Sequence, residues 1–276
     1  MIPVGFAYVR PDSVDEVLAL LVEHGEDATV LAGGHSLLPV MKLRLAVPEL
    51  VVDIGRLPEL SYIRVEGSAD GGEVAIGAGT RHRLVESSDV LGTEVPLLAA
   101  VARTVGDPQV RHRGTMGGSL AHADPAADLP AAVLALGGTV VLRSLRGERR
   151  VPITGFYTGV FSTVREPDEL VVEVRVPITG SAGWAYEKFT RRANDWAIVA
   201  VAVVDGRIGL VNMGPTPLRA STTEAALADG ASIAAAAALA DEATDPAADV
   251  TATKEYRRHL VRVLTRRALT TAAAGS

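Results

Sequence analysis

The chain has 276 residues, 48% of them apolar but only 4% aromatic, which suffices for more than one core packed by Leu, Val, Ile and Ala. A formal charge of −6 gives no electrostatic footing for nucleic acid or an anionic membrane, and the lack of cysteine excludes disulfides, thiolate chemistry and any cysteine-ligated iron–sulfur cluster held by this chain. No stretch reaches ~18 uncharged apolar residues, and Met1 to Arg10 holds no basic region followed by an apolar run, so neither membrane insertion nor a signal peptide is expected and a cytoplasmic location is.

Ser13-Val-Asp-Glu16 is a capping box, followed by Val14, Val17, Leu18 and Leu21 at helical spacing and by Gly25 at the stop. Thr29–Leu31 reads as a strand entering a glycine loop, Leu37–Leu45 as a short helix and Leu50–Ile54 as a second strand, which makes 1–55 a small βαβ-type unit. After a connector at Gly55–Glu59, strands are expected at Tyr62–Glu66 and Glu73–Gly77, joined by a hairpin loop over Gly67–Gly72. Helices follow at Pro96–Val105 and Pro125–Leu136, the second closed by Gly137-Gly138, with Asp124 as its N-cap and Asp128 as a solvated or dipole-favoured first-turn carboxylate. Between them Asp107–His122 shows no periodicity. Strands are expected at Thr139–Arg143 and Glu169–Val176, and the best boundary is Pro177–Gly183. Beyond it come strands at Ala185–Thr190, Ile198–Val204 and Arg207–Asn212, the last two joined by a type I′ turn at Asp205-Gly206, then helices around 221–242 and from Lys254 to about Leu269.

Two segments have the character of anion-binding loops. Ala32-Gly33-Gly34-His35-Ser36 lies between a strand and a helix start, and Gly114-Thr115-Met116-Gly117-Gly118-Ser119 repeats the pattern later in the chain. Glycines there let backbone N–H groups approach an anion, and a following helix N-terminus adds positive dipole. Together the loops suggest a clamp on a diphosphate. No Gly-x-Gly-x-x-Gly follows a strand, no P-loop is present, and His-Glu-x-x-His and Gly-x-Ser-x-Gly are missing. His122, Asp124 and Asp128 lack a second histidine cluster at metal-ligand spacing, so no metal is expected.

Three motifs in order carry a family resemblance: Ala-Gly-Gly-His-Ser-Leu-Leu-Pro (32–39), Gln-Val-Arg-His-Arg-Gly-Thr-Met-Gly-Gly-Ser (109–119) and Ala-His-Ala-Asp-Pro-Ala-Ala-Asp-Leu-Pro (121–130). The chain resembles the FAD-binding medium subunit of molybdenum hydroxylases, within the xanthine dehydrogenase family and nearest its aerobic carbon monoxide dehydrogenase type. Phe6 to Pro177 resembles the FAD-binding domain, while Lys188–Ile198 and the Tyr256–Leu260 helix resemble the C-terminal domain. The resemblance implies an α+β fold: a two-lobed FAD-binding domain of the PCMH type (lobes 1–55 and 56–177), then a C-terminal antiparallel sheet with helices (183–272). It implies that the loop of Leu31, Ala32, Gly33, Gly34, His35, Ser36, Leu37 and Leu38, with Thr115, Gly117, Gly118, Ser119 and Ala121, wraps the diphosphate and ribityl of FAD. In that reading Gly33, Gly34, His35, Gly117 and Gly118 give backbone N–H groups, and Ser36, Thr115 and Ser119 add hydroxyls. Ser119 stands where many relatives have Asn. Asp128 corresponds to a carboxylate on a sugar-type hydroxyl, Val105 and Val171 to apolar residues lining the flavin, Lys188 to a basic residue near the isoalloxazine, and Tyr186 to a contact with the ring.

By the same resemblance a molybdenum-cofactor large subunit oxidises the substrate and a small subunit holds 2Fe–2S clusters. The present chain takes electrons on FAD and hands them to an external acceptor, and its lack of cysteine fits that division. Two other readings stay open. One is a stand-alone FAD oxidase or dehydrogenase with a base such as His82 or His112, both read here as surface residues. The other is a scaffold that has lost FAD. The arginines of the last helix (Arg257, Arg258, Arg262, Arg266, Arg267) either dock a partner or form a solvated face.

Overall fold

The computed structural model describes residues 1–67 and 71–275; the loop expected at Gly67–Gly72 therefore lies outside the described residues over 68–70. The chain opens with β1 (Ala7–Val9), α1 (Val14–His24), β2 (Ala28–Leu31), α2 (Leu37–Lys42) and β3 (Leu50–Asp53). The strands form a parallel sheet in the order β1-β3-β2. The Ser13 hydroxyl caps α1 by accepting from Glu16 N at 3.2 Å, while the Glu16 carboxylate reaches one residue further back than a capping box requires, to Asp12 N at 2.8 Å. Val14, Val17, Leu18 and Leu21 are buried against Leu50, Val52, Ile54 and Leu57, so the helical spacing read from the sequence is the face that packs.

The central region holds β4 (Ile63–Glu66), β5 (Glu73–Gly77), then six helices, α3 (His82–Glu86), α4 (Asp89–Glu94), α5 (Pro96–Arg103), α6 (Pro108–Arg113), α7 (Met116–His122) and α8 (Asp128–Leu136). Strands β6 (Thr139–Ser144) and β7 (Gly147–Pro152), a small hairpin of β8 (Tyr157–Gly159) and β9 (Ser162–Thr163), and β10 (Leu170–Pro177) complete it. The antiparallel sheet runs β4-β5-β10-β6-β7, with β10 central and largely buried. A bulge interrupts the β10–β6 ladder between Val171 and Glu173, and the Val172 carbonyl accepts from Ala78 N at 2.9 Å.

Helix α8 begins three residues later than Pro125. Pro125 O is drawn to Asn212 N (2.8 Å) and Asp124 Oδ1 accepts from Ala126 N (2.9 Å), so Asp124 closes a local turn and Ala127 occupies the N-cap position. Tertiary contact overrides the Asp-Pro cap signal. All nine residues of α8 are buried, Asp128 included, because the helix lies between α5 and the last sheet.

That sheet, β11 (Trp184–Phe189), β12 (Val199–Val204), β13 (Arg207–Val211) and β14 (Leu218–Arg219), is antiparallel in chain order. Asp205 and Gly206 both have positive φ (49° and 72°), which is the tight turn expected between β12 and β13. Gly209 of β13 lets α8 approach: a Cβ there would overlap Ala131 O and lie 2.9 Å from its carbonyl carbon. Helices α9 (Ser221–Ala228), α10 (Ile233–Ala237) and α11 (Lys254–Ala274) follow; Gly230 at φ 84° breaks the stretch expected as helical around 221–242, and α11 runs past Leu269. Arg257 belongs to neither face expected of the last helix. It is buried, donating to Ile198 O and, at 2.6 Å, to Asp249 Oδ2.

Candidate cofactor-binding site

A cleft of about 570 Å³ opens between the three sheets, within the ~300–1,000 Å³ range usual for small-molecule sites. Its lining includes Ala32, Gly33, Gly34, His35, Ser36 and Leu37 from the first loop, and Thr115, Gly117, Gly118, Ser119 and Ala121 from the second. Val105, Asp128, Val171 and Lys188 complete the set of expected residues that reach it.

The two loops touch. A Cβ on Gly33 would overlap Arg113 O and lie 2.9 Å from Arg113 C and 3.0 Å from Gly114 Cα, so only glycine permits this approach. Across the same gap, a Cβ on Gly118 would lie 4.0 Å from Ala32 Cβ. Gly34 turns the chain at φ 79°, and its carbonyl accepts from Leu38 N at 3.1 Å as α2 begins. The backbone N–H groups of Gly33, Gly34, His35 and Ser36 donate to no described residue. That leaves four donors available along the wall of the cleft.

The second loop works differently from the expectation. Thr115 caps α7 by accepting Gly118 N–H at 3.2 Å, and Gly117 N–H donates to Ala78 O at 2.8 Å. Both amides are engaged within the chain, so the amide roles expected of Gly117 and Gly118 are not open to them; the lack of a side chain on Gly117 instead lets α7 pack on Ala78, which a Cβ would overlap. The Asp107–His122 stretch is two short helices, α6 capped by Asp107 (accepting Val110 N, 2.9 Å) and α7 capped by Thr115. Each is too short for periodicity to show, although Asp107-Pro108 is itself a start signal.

Three expected contacts stand elsewhere. Leu31 and Leu38 do not line the cleft; both crowd Gly34, where a Cβ would lie 3.3 Å from Leu31 Cδ1 and 2.9 Å from Leu38 Cδ1. Tyr186 also lies behind the wall, packed near Ala131, Ala197 and Ala200. Its hydroxyl donates to Asp128 Oδ1 at 2.5 Å, while Lys188 Nζ donates to Asp128 Oδ2 at 2.7 Å and to Thr104 O at 3.0 Å. Asp128 is therefore not a solvated first-turn carboxylate. Burial pushes its carboxyl upward, opposed by the Lys188 ammonium and the Tyr186 hydroxyl. Burial, then the adjacent carboxylate, raises the Tyr186 phenol far above its ordinary range and keeps it a donor.

Sequence reasoning missed Ala78, Gly106, Val110, Arg165 and Trp196, all of which line the cleft. It also placed His82 on the surface, whereas the ring is only 5% exposed, lies against Gly114 and lines the cleft. His112 is exposed, as expected. Burial first, with the charges of Arg81, His35 and Arg111 adding, drives the His82 pKa from 6.5 down to about 4, so the ring is neutral. A depressed histidine pKa means that the unfolded chain binds the extra proton more readily. The His82 contribution is thus complete above pH 6.5 and is lost as pH falls toward about 4. His82→Gln should remove up to about 3 kcal/mol of this acid-side loss, read as the difference between the variant and wild-type urea midpoints of the apo chain followed across that window. Parallel pH profiles would contradict it.

The cleft thus offers free amides at the first loop, a close approach of two backbones that a side chain would fill, and a buried cation–carboxylate pair beside apolar walls. Those features fit a long ligand with a diphosphate at its waist. A family model described as "FAD binding domain in molybdopterin dehydrogenase" matches residues 4–179, and one described as "CO dehydrogenase flavoprotein C-terminal domain" matches 184–272. The chain belongs to this FAD-binding family.

It is 43% identical to the carbon monoxide dehydrogenase medium chain of Hydrogenophaga pseudoflava, over 99% of each chain. It is 39% identical to the 6-hydroxypseudooxynicotine dehydrogenase complex subunit alpha of Paenarthrobacter nicotinovorans, over 98% of this chain and 95% of that one. A solved carbon monoxide dehydrogenase from Hydrogenophaga pseudoflava superposes with a TM-score of 0.95 at 45% identity, covering 100% of this chain and 99% of that one. The fold is accordingly a PCMH-type FAD-binding domain followed by an antiparallel C-terminal sheet with helices. The chain is a medium, FAD-binding oxidoreductase subunit of the molybdenum hydroxylase family, and FAD is its cofactor.

Proposed function

We propose that the chain receives electrons from iron–sulfur clusters on a small partner subunit and delivers them to an external acceptor, with substrate oxidised on a molybdenum-containing large subunit. FAD supplies the ability to accept electrons singly and release them as a pair. The chain's own part is binding, orientation and electrostatics. The first loop gives amides of Gly33, Gly34, His35 and Ser36 to the diphosphate, and the second gives the Thr115 and Ser119 hydroxyls. Val105 and Val171 supply apolar wall, and the bulge beside Val171 supports that placement, since bulges re-aim side chains at functional sites. Asp128 and Lys188 hold polar groups of the cofactor. We assign residues 1–55 and 56–177 to the two lobes that close on it and 183–272 to the C-terminal domain. A cytoplasmic location follows from the same reading; among the described residues no helix is long and apolar enough to cross a membrane.

The observation that carries the reading is the single cleft walled by both glycine loops, with unpartnered amides on one of them. Co-expression with large and small subunits should give a three-subunit complex whose flavin band at about 450 nm bleaches on addition of the substrate of the large subunit. A chain that oxidises an organic substrate without partners would replace this reading with the stand-alone oxidase.

A further inference from the structure

We infer that Arg81 is a positioning residue for the cofactor, its guanidinium holding the two glycine loops at the separation the diphosphate requires. The inference rests on the reading that the diphosphate lies between those loops. Residues 80–82 run antiparallel to the second loop: Met116 N donates to Thr80 O and His82 N to Gly114 O, both at 2.9 Å, and Arg81 bridges Thr115. From that position the Arg81 side chain reaches backbone next to both loops. One terminal nitrogen donates to Arg113 O and the other to Gly55 O at 2.7 Å. Arg113 O is the atom against which Gly33 packs, and Gly55 abuts the first loop, where a Cβ would lie 2.9 Å from Ala32 O. A single planar group thus fixes backbone beside each loop, where Gly33 meets Arg113 and Gly55 meets Ala32.

Charge points the same way. Arg81 is partly buried, and its guanidinium donates to two carbonyls rather than to a carboxylate. Asp53, the nearby acid, is engaged by Gly55 N at 2.8 Å and by the Tyr8 hydroxyl at 2.6 Å. Burial first, then the charge of Arg113, lowers the Arg81 pKa, and the Asp53 carboxylate only partly opposes them. Holding such a cation has a desolvation cost, offset here by the two carbonyls it reaches, Arg113 O and Gly55 O. Lysine could not do the same work, because an ammonium is a point charge on a flexible stem whereas guanidinium presents a rigid fork.

The test measures FAD affinity of the full chain, stripped of cofactor, by quenching of flavin fluorescence, for Arg81→Met, Arg81→Lys and the control Gly33→Ala. Arg81→Met should weaken FAD binding by about 10- to 100-fold, since each hydrogen bond from a charged donor is a strong one. Arg81→Lys should recover only part of that loss. Amide exchange in the cofactor-free chain gives a readout that a general loss of stability would not: it should quicken at the hydrogen-bonded amides of Gly55, Gly114, Met116 and Gly117 in both variants while the amides of β12 stay protected. If Arg81→Met binds FAD like the wild type while Gly33→Ala does not, this inference falls and the assignment of the loops stands. If both bind like the wild type, the loops do not hold the diphosphate and both fall. Should Arg81→Met fail to fold, Arg81→Lys decides: wild-type affinity and unchanged loop exchange overturn the proposal.

Discussion

Gly33→Ala should be purified without its flavin. The added methyl would overlap Arg113 O and stand 2.9 Å from its carbonyl carbon, and both are backbone atoms that no rotamer change can move aside. The second loop is poorly placed to yield. Gly114 N is bonded to Val110 O at 2.7 Å, Gly114 O accepts from His82 N at 2.9 Å, and Arg113 O accepts from Arg81. The strain should cost about 1–3 kcal/mol of stability, as overpacking does. A misplacement of about 1 Å at a preorganised site is enough to lose a factor of about 100, and FAD affinity should fall by at least that much. Gly92→Ala is the matching control: it sits in α4 with nothing within 4 Å of the added carbon, and alanine there should be neutral or stabilising by up to about 1 kcal/mol. The ratio of flavin to protein absorbance after gel filtration, with thermal melting alongside, reads both effects. A fully yellow Gly33→Ala protein would show that the cofactor does not depend on the close approach of the two loops.

Asp128→Ala should be the most damaging single change to the stability of the cofactor-free chain. Asp128 and Lys188 side chains are only 5% and 10% exposed, so removing the carboxylate leaves an ammonium buried with one carbonyl for company and strands the Tyr186 hydroxyl. Breaking a buried pair in this way costs about 3–5 kcal/mol. The double variant Asp128→Ala with Lys188→Met removes the orphaned charge as well and should regain most of the loss, so that the two changes are strongly non-additive in urea denaturation. Additive losses would mean that the pair is not coupled and that Lys188 finds water.

What the sequence revealed and what it hid divide along physical lines. The capping box of α1, the Asp205-Gly206 turn and the apolar runs of β10 and β12 depend on neighbours in the chain, and each forms where its residues indicate. Strand β7 gave no such sign. It is a charged edge, Gly-Glu-Arg-Arg-Val-Pro, with only Val151 buried, so it lacks the alternation of a half-buried strand. Helices α3, α4, α6 and α7 span one or two turns each, below the length at which a helical period emerges. In the site, the two glycine loops were legible because the close approach of backbone to backbone that they make demands a local composition. The Tyr186–Asp128–Lys188 constellation was hidden in a different way: its partners are 58 and 60 residues apart, and only packing of β11 beside α8 joins them. Position within the cleft also separates Leu31 and Leu38 from the rest of their loop, since a residue can belong to a binding motif while its side chain faces away.

Helix α8 carries Asp128 at its first position and, one turn on, presses Ala131 O onto Gly209 of the last sheet. The carboxylate and the seat of the C-terminal domain therefore share one rigid rod. Substitutions that reseat that domain, for instance to suit a different neighbour in an assembly, tilt the rod and carry the carboxylate with it. Under the proposed function, docking geometry and cofactor contact should therefore change together.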